Sequence, residues 1–479
     1  MENQNVGKYR WTICAMLFFA TTINYLDRQV LSLTWSDFIA PEFHWTNNDY
    51  GNITALFSIF YAVSMLFAGK FVDWMDTKKG FLWAIGVWSV GACLHAFCGI
   101  ATAGILTGNW FVGFEDSKEI IGTVEDTASI ISVSVALFIF ARLILAVGEA
   151  GNFPAAIKAT AEYFPKKDRA FSTSIFNAGS TVGALGAPIS IPFIAEAYGW
   201  EMAFLIIGAL GFVWMGFWIF IYEKPEKHPK VSPAELAYIQ QDILADSKIA
   251  GYVPESATKV SMIECLKFNQ TWAFAFGKFM TDGVWWFFLF WTPAYLSSVY
   301  GMDSTEAALP LFVLYMITLL SIIGGWLPTY FVDKKGMNPY EGRMRAMLIF
   351  AFFPLLALIA QPLGYISYWL PIIIIGIAGA AHQAWSANIF TTVGDMFPKK
   401  AIATVVGIGG LAGGVGATVI NKASGMLFDF TKESDMVFMG FQGIEAGYFI
   451  IFSICSVCYL IGWSVMKTLV PKYKPITNL

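Results

Sequence analysis

The residues of this chain best placed to do chemistry are charged side chains set inside apolar stretches. Asn24-Tyr25-Leu26-Asp27-Arg28 lies about two-thirds of the way along an apolar segment at 11–33. That segment exceeds the roughly 20 helical residues needed to cross a bilayer. Arg142 and Glu149 stand in a second such segment, at 129–157. An Asp or Arg at the centre of a membrane helix costs about 2.5–3.5 kcal/mol on insertion scales, so such residues face a polar interior. Two readings are open for Asp27 and Arg28: a buried ion pair that locks helices together, or a substrate or proton site. Arg142 and Glu149 are seven apart and share a helix face at a separation of about 10 Å. Neither is the other's close partner, and a pair with a neighbouring helix stays open. The chemistry on offer is twofold. A planar guanidinium fork can bond both oxygens of a carboxylate. A carboxylate in a cavity that is alternately wet and dry can take up and release a proton, because desolvation favours its neutral form and a nearby cation its charged form.

A third group lies in the segment at 271–297. Lys278 and Asp282 are spaced for an i,i+4 ion pair, against which stands a role for Lys278 in binding an anion. Trp285 and Trp286 follow, and one of them can stack on a ring. For the other the default is a lipid-facing tryptophan. Lys422, in the segment at 402–428, has no partner that the sequence identifies.

The elements that must position these residues are membrane helices. Of 479 residues, 57% are hydrophobic and only 13% charged, where a soluble domain carries about 25% charged. Apolar segments fall at 11–33, 50–72, 81–104, 129–157, 171–195 and 201–222, and again at 271–297, 306–331, 344–362, 367–391, 402–428 and 444–469. The expected architecture is all-α and integral to the membrane: twelve spans in two halves, 1–222 and 271–479, joined by a charged linker at 223–270. The first segment is too long for a signal h-region and is read as retained. Lys and Arg crowd the N-terminus, alternate loops, the linker and the tail, so the positive-inside rule sets both termini and the linker in the cytoplasm. In the linker, Ser232-Pro233-Ala234-Glu235 predicts a capped helix start, and Leu236, Ile239 and Ile243 an apolar stripe.

No nucleotide, metal or nucleophile motif occurs in a fitting context, so neither an enzyme nor a cofactor, metal or nucleic-acid partner is expected. Cys455 and Cys458, in the last apolar segment, read as packing residues.

An internal repeat ties the halves together. Glu162-Tyr163-Phe164-Pro165-Lys166-Lys167 matches Asp395-Met396-Phe397-Pro398-Lys399-Lys400 at an offset of 233, and each leads into a glycine-rich helix. Gly179, Gly183 and Gly186 in one, and Gly409, Gly410, Gly413, Gly414 and Gly416 in the other, predict close helix approach. The offset sets His382 opposite Glu149, Gln383 opposite Ala150 and Asn388 opposite Ala155. Parallel repeats of this kind bind at the midplane, between the halves.

Two six-helix halves with Gly69-Lys70-Phe71-Val72-Asp73 ahead of Lys78-Lys79 resemble the major facilitator superfamily. Trp74 stands where that family usually has a basic residue and Asp76 where it usually has glycine. The resemblance implies a gating role for Gly69, Asp73 and Lys78, with Asp333 at the corresponding place in the second half. Narrower stretches resemble the anion:cation symporter family and, within it, bacterial hexuronate transporters. These are Ile23 through Gln29, Ala141-Arg142-Leu143 through Glu149-Ala150-Gly151-Asn152-Phe153-Pro154, Gly277 through Asp282 with Trp285-Trp286, and Ala381 through Asn388.

That resemblance implies a proton-coupled importer of a hexuronate, working by alternating access as a monomer in the inner membrane. It assigns Asp27 and Glu149 to protons, and Arg28 and Arg142 to charge coupling and carboxylate attraction. It matches Tyr25 and Tyr61 to positions that hydroxylated ligands contact. The repeat, rather than the resemblance, sets His382 and Gln383 to bond the sugar hydroxyls from the second half, and Asn152, Lys278, Trp285 and Asn388 complete the contacts expected for the sugar acid. Core packing stays open for both tyrosines, and for His382 a partner on a neighbouring helix. The alternatives are a symporter of another anion, an aldonate or dicarboxylate, and a non-transporting membrane sensor of the same fold.

Overall fold

The computed structural model describes residues 7–241 and 261–476. Before the linker run α1 (Tyr9–Thr34), α2 (Asn47–Met75), α3 (Thr77–Ala96), α4 (Cys98–Thr107), α5 (Thr127–Glu149), α6 (Asn152–Tyr163), α7 (Lys166–Tyr198) and α8 (Trp200–Ile221). A short α9 (Pro233–Ile239) lies in the linker. After it come α10 (Asn269–Tyr300), α11 (Ala308–Thr318), α12 (Ile323–Lys335), α13 (Pro339–Phe352), α14 (Trp369–Met396), α15 (Lys399–Glu433) and α16 (Ile444–Leu469). A two-residue hairpin, Val437–Phe438 with Phe441–Gln442, is the sheet among the described residues.

Nine spans among the described residues are long and apolar enough to cross a membrane, or ten if α3 and α4, bent by 55°, act as one. The expected count of twelve therefore turns on α1 and α10, which have the length, at 26 and 32 residues, but not the apolarity. They are the helices that carry Asp27-Arg28 and Lys278 with Asp282. Several expected segments are also broken. The one at 129–157 stops at Glu149 and restarts at Asn152. The one at 306–331 passes through a 3₁₀ turn at Leu319–Ile322, and the one at 344–362 tightens into 3₁₀ at Phe353–Ile359. Pro354 lacks the N–H that would continue the α ladder there.

Glycines decide where helices touch. A Cβ on Gly91 or Gly148 would collide with the backbone of the facing helix at Leu145 or Trp88, so α3 and α5 cross in near contact. Gly179 and Gly183 bring α7 onto Phe18 and Thr22 of α1, and Gly416 brings α15 onto Phe279 of α10. Of the glycines expected to serve this purpose, Gly186 meets Leu26 at ordinary contact and Gly410 faces open space.

The linker helix forms where its capping residues predict, with Ser232 accepting from the Glu235 N–H at 3.1 Å. The Glu235 carboxylate is fully buried and bonds Arg10, accepting from its backbone N at 3.0 Å and its Nη1 at 3.2 Å. The helix is thus pinned to the first turn of α1 by charge, and its Ile239 is buried; Ile243 lies outside the described residues. Ile476 donates to the Met396 carbonyl at 2.8 Å, which sets the chain's last described residues at the same end of the bundle as α9.

At the opposite end, α2 packs against α15 and α1 against α10. Thr46 and Asp49 form a reciprocal capping box at the start of α2. Asp429 of α15 accepts from the backbone N–H groups of Asn47 and Asn48, at 2.9 and 2.6 Å. Lys422 donates to the side-chain oxygens of Asn48 and Asn52, at 2.6 and 2.5 Å. Tyr50 donates to the Phe290 carbonyl and Ser297 to Asp37. Asn48 and Asn52 are thus the partners of Lys422 that the sequence did not identify.

Candidate functional site

Asp27 and Arg28 do not pair with each other. Adjacent on α1, they point to different neighbours, because successive helical residues are turned by about 100°. Arg28 reaches Glu149, the last residue of α5. Its Nε and Nη2 both end on Glu149 Oε2, at 3.0 and 2.6 Å. Both side chains are sealed from solvent, at 5% and 0% exposure. The guanidinium sits among the rings of Tyr61 at 4.7 Å, Tyr25 at 5.1 Å, Trp286 at 5.4 Å and Phe57 at 5.9 Å. Trp286 belongs to α10, so Arg28 bridges helices from before and after the linker.

Arg142 lies behind it. Its Nη2 donates to the Arg28 carbonyl at 3.4 Å and its guanidinium stands 5.1 Å from Phe57. Arg142 and Glu149 do share one face of α5, as their spacing predicts, and what joins them is Arg28. Buried polar atoms without a partner among the described residues collect here: both oxygens of Asp27, Glu149 Oε1, Arg142 Nη1, and the side-chain amides of Asn24 and Asn152. The Trp88 indole of α3 stands beside Asp27 but closes no well-formed hydrogen bond with it. Buried groups of this kind are uncommon in folded proteins and need a reason. Asp27 is therefore enclosed by α1, α3 and α5, while Arg28 looks across to α10.

On the other wall Lys278 and Asp282 form the i,i+4 pair, at 2.7 Å, with 6% and 15% of their side chains exposed. Lys278 Nζ also stands 4.3 Å over the Phe390 ring. Asp282 is wedged against α15 at Gly413, where a Cβ would displace it. Residues 278, 282, 286 and 290 form one i,i+4 stripe of α10, and its member Trp286 touches Arg28. The aromatic residue between the walls is thus Trp286, packed on Phe57 at 5.8 Å and Tyr61 at 5.7 Å. Trp285 turns onto His382, stacked at 5.2 Å and nearly parallel.

His382 has the neighbouring-helix partner that was left open for it. Its Nδ1 lies 2.7 Å from the Tyr459 hydroxyl of α16, leaving Nε2 as the ring's second nitrogen. Asn388 also spends its amide on structure, donating to the carbonyls of Gly324 and Ala384 at 2.9 and 2.8 Å. Gln383 is partly exposed and Tyr61 is buried beside Arg28. Phe57 was missed by sequence reasoning, and the choice of Trp286 over Trp285 was not made. The step of four through 278, 282 and 286 was the signal that could have found Trp286.

The residues expected to gate fall at the end that holds the termini. Lys78 pairs with Glu223 at 3.2 Å, just past α8, rather than across to the later helices. Asp333 is exposed, Gly69 has open space around its Cα, and the side chain of Asp73 lies outside the described residues. Asp76 takes φ 68°, a left-handed backbone that favours glycine, which fits its standing at a place where glycine is usual. It caps α3 and pairs with Lys224 at 3.0 Å. Burial there is outweighed by those bonds, and its carboxyl stays below the usual range.

At the far end Glu42 accepts from the Trp200 indole at 2.8 Å, while its other oxygen is buried without a partner among the described residues. Burial, with Glu201 nearby, pushes its carboxyl up to about 7. No group of His, Cys, Asp and Glu among the described residues is arranged to hold a metal ion.

The family model of the Major Facilitator Superfamily matches residues 17–420. The hexuronate transporter of Escherichia coli (strain K12) is 28% identical over 425 residues, covering 88% of each chain. The galacturonate transporter of Dickeya chrysanthemi is 27% identical over 330 residues, 69% of this chain and 84% of that one. The probable galactarate/D-glucarate transporter GarP of Escherichia coli (strain K12) is 25% identical over 461 residues, 94% of each. Among solved structures, an inward-facing, unoccupied bacterial homologue of the human lysosomal transporter Spinster superimposes with a TM-score of 0.70 at 17% identity, over 99% of this chain and 100% of that one. A D-xylose–proton symporter gives 0.64 at 15% identity, over 98% and 99%. These two likenesses concern the fold.

Proposed function

The chain belongs to the Major Facilitator Superfamily and is a membrane transporter rather than an enzyme, and from this premise we propose that it imports a hexuronate, such as galacturonate or glucuronate, together with protons. The observation that carries the proposal is Arg28: a buried guanidinium held by Glu149 on one side and facing the aromatic wall of α10 on the other. A sugar acid offers one carboxylate to such a guanidinium and a ring to Trp286, with hydroxyls left for Tyr25, Tyr61, Asn152 and Gln383. Relatives that carry hexuronates and galacturonate support that choice of anion.

In this reading Glu149 releases Arg28 when it takes a proton, and the freed fork accepts the substrate carboxylate. Asp27, enclosed and without a partner among the described residues, is the second proton site. Arg142 keeps positive potential behind Arg28. The halves 1–222 and 271–479 rock about this midplane site, with 223–270 as a cytoplasmic linker and both termini in the cytoplasm. The contacts at the end away from the termini correspond to a state open to the cytoplasm. His382 and Asn388 support the second half rather than lead in binding, and the protein works as a monomer.

Counterflow in proteoliposomes against a panel of sugar acids, with and without a pH gradient, tests the proposal. Galacturonate or glucuronate should exchange without a gradient and accumulate only with one. Accumulation that ignores the pH gradient would refute proton coupling, and indifference to every sugar acid would refute the substrate class.

A further inference from the structure

We propose that Asp282 makes the site selective for a single carboxylate, by occupying in advance the cation that would otherwise bind a second one. The inference rests on the sugar-acid reading above and goes further, to what separates uronates from aldarates. A uronate has one carboxylate, and its other end is an uncharged hemiacetal. An aldarate has a carboxylate at both ends. Proteins associated with each class stand among the relatives of this chain.

The geometry supplies two cationic places on facing walls. On one is Arg28, with Arg142 behind it. On the other is Lys278, on the same stripe of α10 as Trp286, which touches Arg28. Trp286 and Asp282 are one turn apart, about 6 Å along the helix, and Lys278 is one turn further. A chain with a carboxylate at each end could therefore engage Arg28 with one and Lys278 with the other. Asp282 stands in the way. It holds Lys278 at 2.7 Å with 85–94% of both side chains out of solvent, and so brings that wall to zero net charge before any ligand arrives.

The chemistry of removal is unequal. Loss of one partner from a buried pair leaves an uncompensated charge, which is strongly unfavourable. A second substrate carboxylate relieves it. A hemiacetal hydroxyl does not. Neutralising Asp282 therefore favours the diacid over the uronate, and the readout is a ratio rather than an absolute rate. The second wall of the pair is also built, not incidental: Gly413 of α15 leaves the space that the Asp282 carboxylate fills. A methyl there would push the carboxylate off Lys278 without changing the charge of any residue.

The test is competition against labelled galacturonate counterflow in proteoliposomes of the full chain, by unlabelled galacturonate and unlabelled galactarate. In the wild type galacturonate competes and galactarate is the weaker inhibitor. In Asp282→Asn the ratio of half-inhibiting concentrations should move at least tenfold toward galactarate, which corresponds to about 1.4 kcal/mol. Adding Lys278→Gln to Asp282→Asn should move the ratio back. Should Asp282→Asn not reach the membrane folded, Gly413→Ala is expected to shift the ratio in the same direction. An unchanged ratio in a variant that still exchanges galacturonate overturns the role of Asp282 and leaves the hexuronate reading standing. A wild type that takes galactarate as readily as galacturonate also overturns it. A wild type inhibited by neither compound overturns the substrate reading itself, and the inference with it.

Discussion

Arg28 and Glu149, 121 positions apart in the chain, meet through a single oxygen: both Nε and Nη2 of the arginine end on Glu149 Oε2. Glu149 Oε1 is left buried without a partner among the described residues. The pair thus joins α1 to α5 and leaves one carboxylate oxygen unpaired among the described residues.

Asp27→Asn and Glu149→Gln should each abolish accumulation of substrate against its gradient while leaving exchange of internal for external substrate. Exchange needs the alternating step but no net proton release. Their side effects should differ. Glu149→Gln leaves Arg28 buried without its counter-charge, a loss of about 3–5 kcal/mol by comparison with other broken buried pairs, so its yield of folded protein should fall further than that of Asp27→Asn. Uphill uptake at the wild-type level in both variants would remove these residues from proton coupling.

Arg142→Lys keeps a positive charge but loses the fork that reaches the Arg28 carbonyl with one nitrogen and leaves another available. Transport efficiency should drop about tenfold, equivalent to about 1.4 kcal/mol of lost stabilisation. Initial rates over a range of substrate concentration decide it. A near-normal profile would mean that Arg142 supplies only general positive potential.

For His382 the structure ranks stability above binding. His382→Ala removes one of the two partners of the Tyr459 hydroxyl, which keeps the Thr281 carbonyl at 3.3 Å, and the ring beneath Trp285, at a cost of about 1 kcal/mol. His382→Gln should recover part of this. Melting temperatures of the purified protein are the measurement. If alanine melts as the wild type does while substrate affinity collapses, then Nε2 is a ligand atom and the stabilising role is wrong.

Much of the helical membrane fold was legible because span length and apolarity are written in residue types. The buried cluster of Asp27, Arg28, Arg142 and Glu149 was legible for the same reason, since charge in hydrocarbon is costly and so stands out. Their partners were not. The periodicity of α1 says that Asp27 and Arg28 point different ways, but not that α3 receives one and Glu149 the other. Trp285 and Trp286 likewise differ by one step of rotation, and only the packing of α10 on α2 and α14 decides which meets Arg28. The amide of Asn388 was lost to backbone carbonyls of α12 and α14, a competition that residue type alone does not reveal.

Glu42 predicts a pH effect on stability at the far end of the bundle. Its carboxyl is pushed up to about 7 in the fold, by burial first, against an ordinary value of 4.5. The folded state therefore holds a proton that the unfolded chain gives up between those values. Its contribution is fully present below about 4.5 and is lost as pH rises through 7. The melting temperature should fall from pH 5 to pH 8, and Glu42→Gln should flatten the slope. An equal slope in the variant would assign the effect to other groups.

The end of α2 that meets α15 has a consequence for how the protein opens. The first N–H groups of a helix have no partner inside it, and here two of them are satisfied by a carboxylate from a helix on the far side of the linker. Lys422 and the two asparagine oxygens are satisfied in the same reciprocal manner. In the rocking motion proposed above, withdrawal of α15 would leave every one of these donors and acceptors facing solvent, where water can replace the lost bond at once. The seal at this end is therefore of the kind that rain loosens: it excludes an aqueous path only while dry, and wetting is the step that undoes it. Deuterium should enter the amides of Asn47 and Asn48 through such openings, so that their exchange rate rises with the population of the open state.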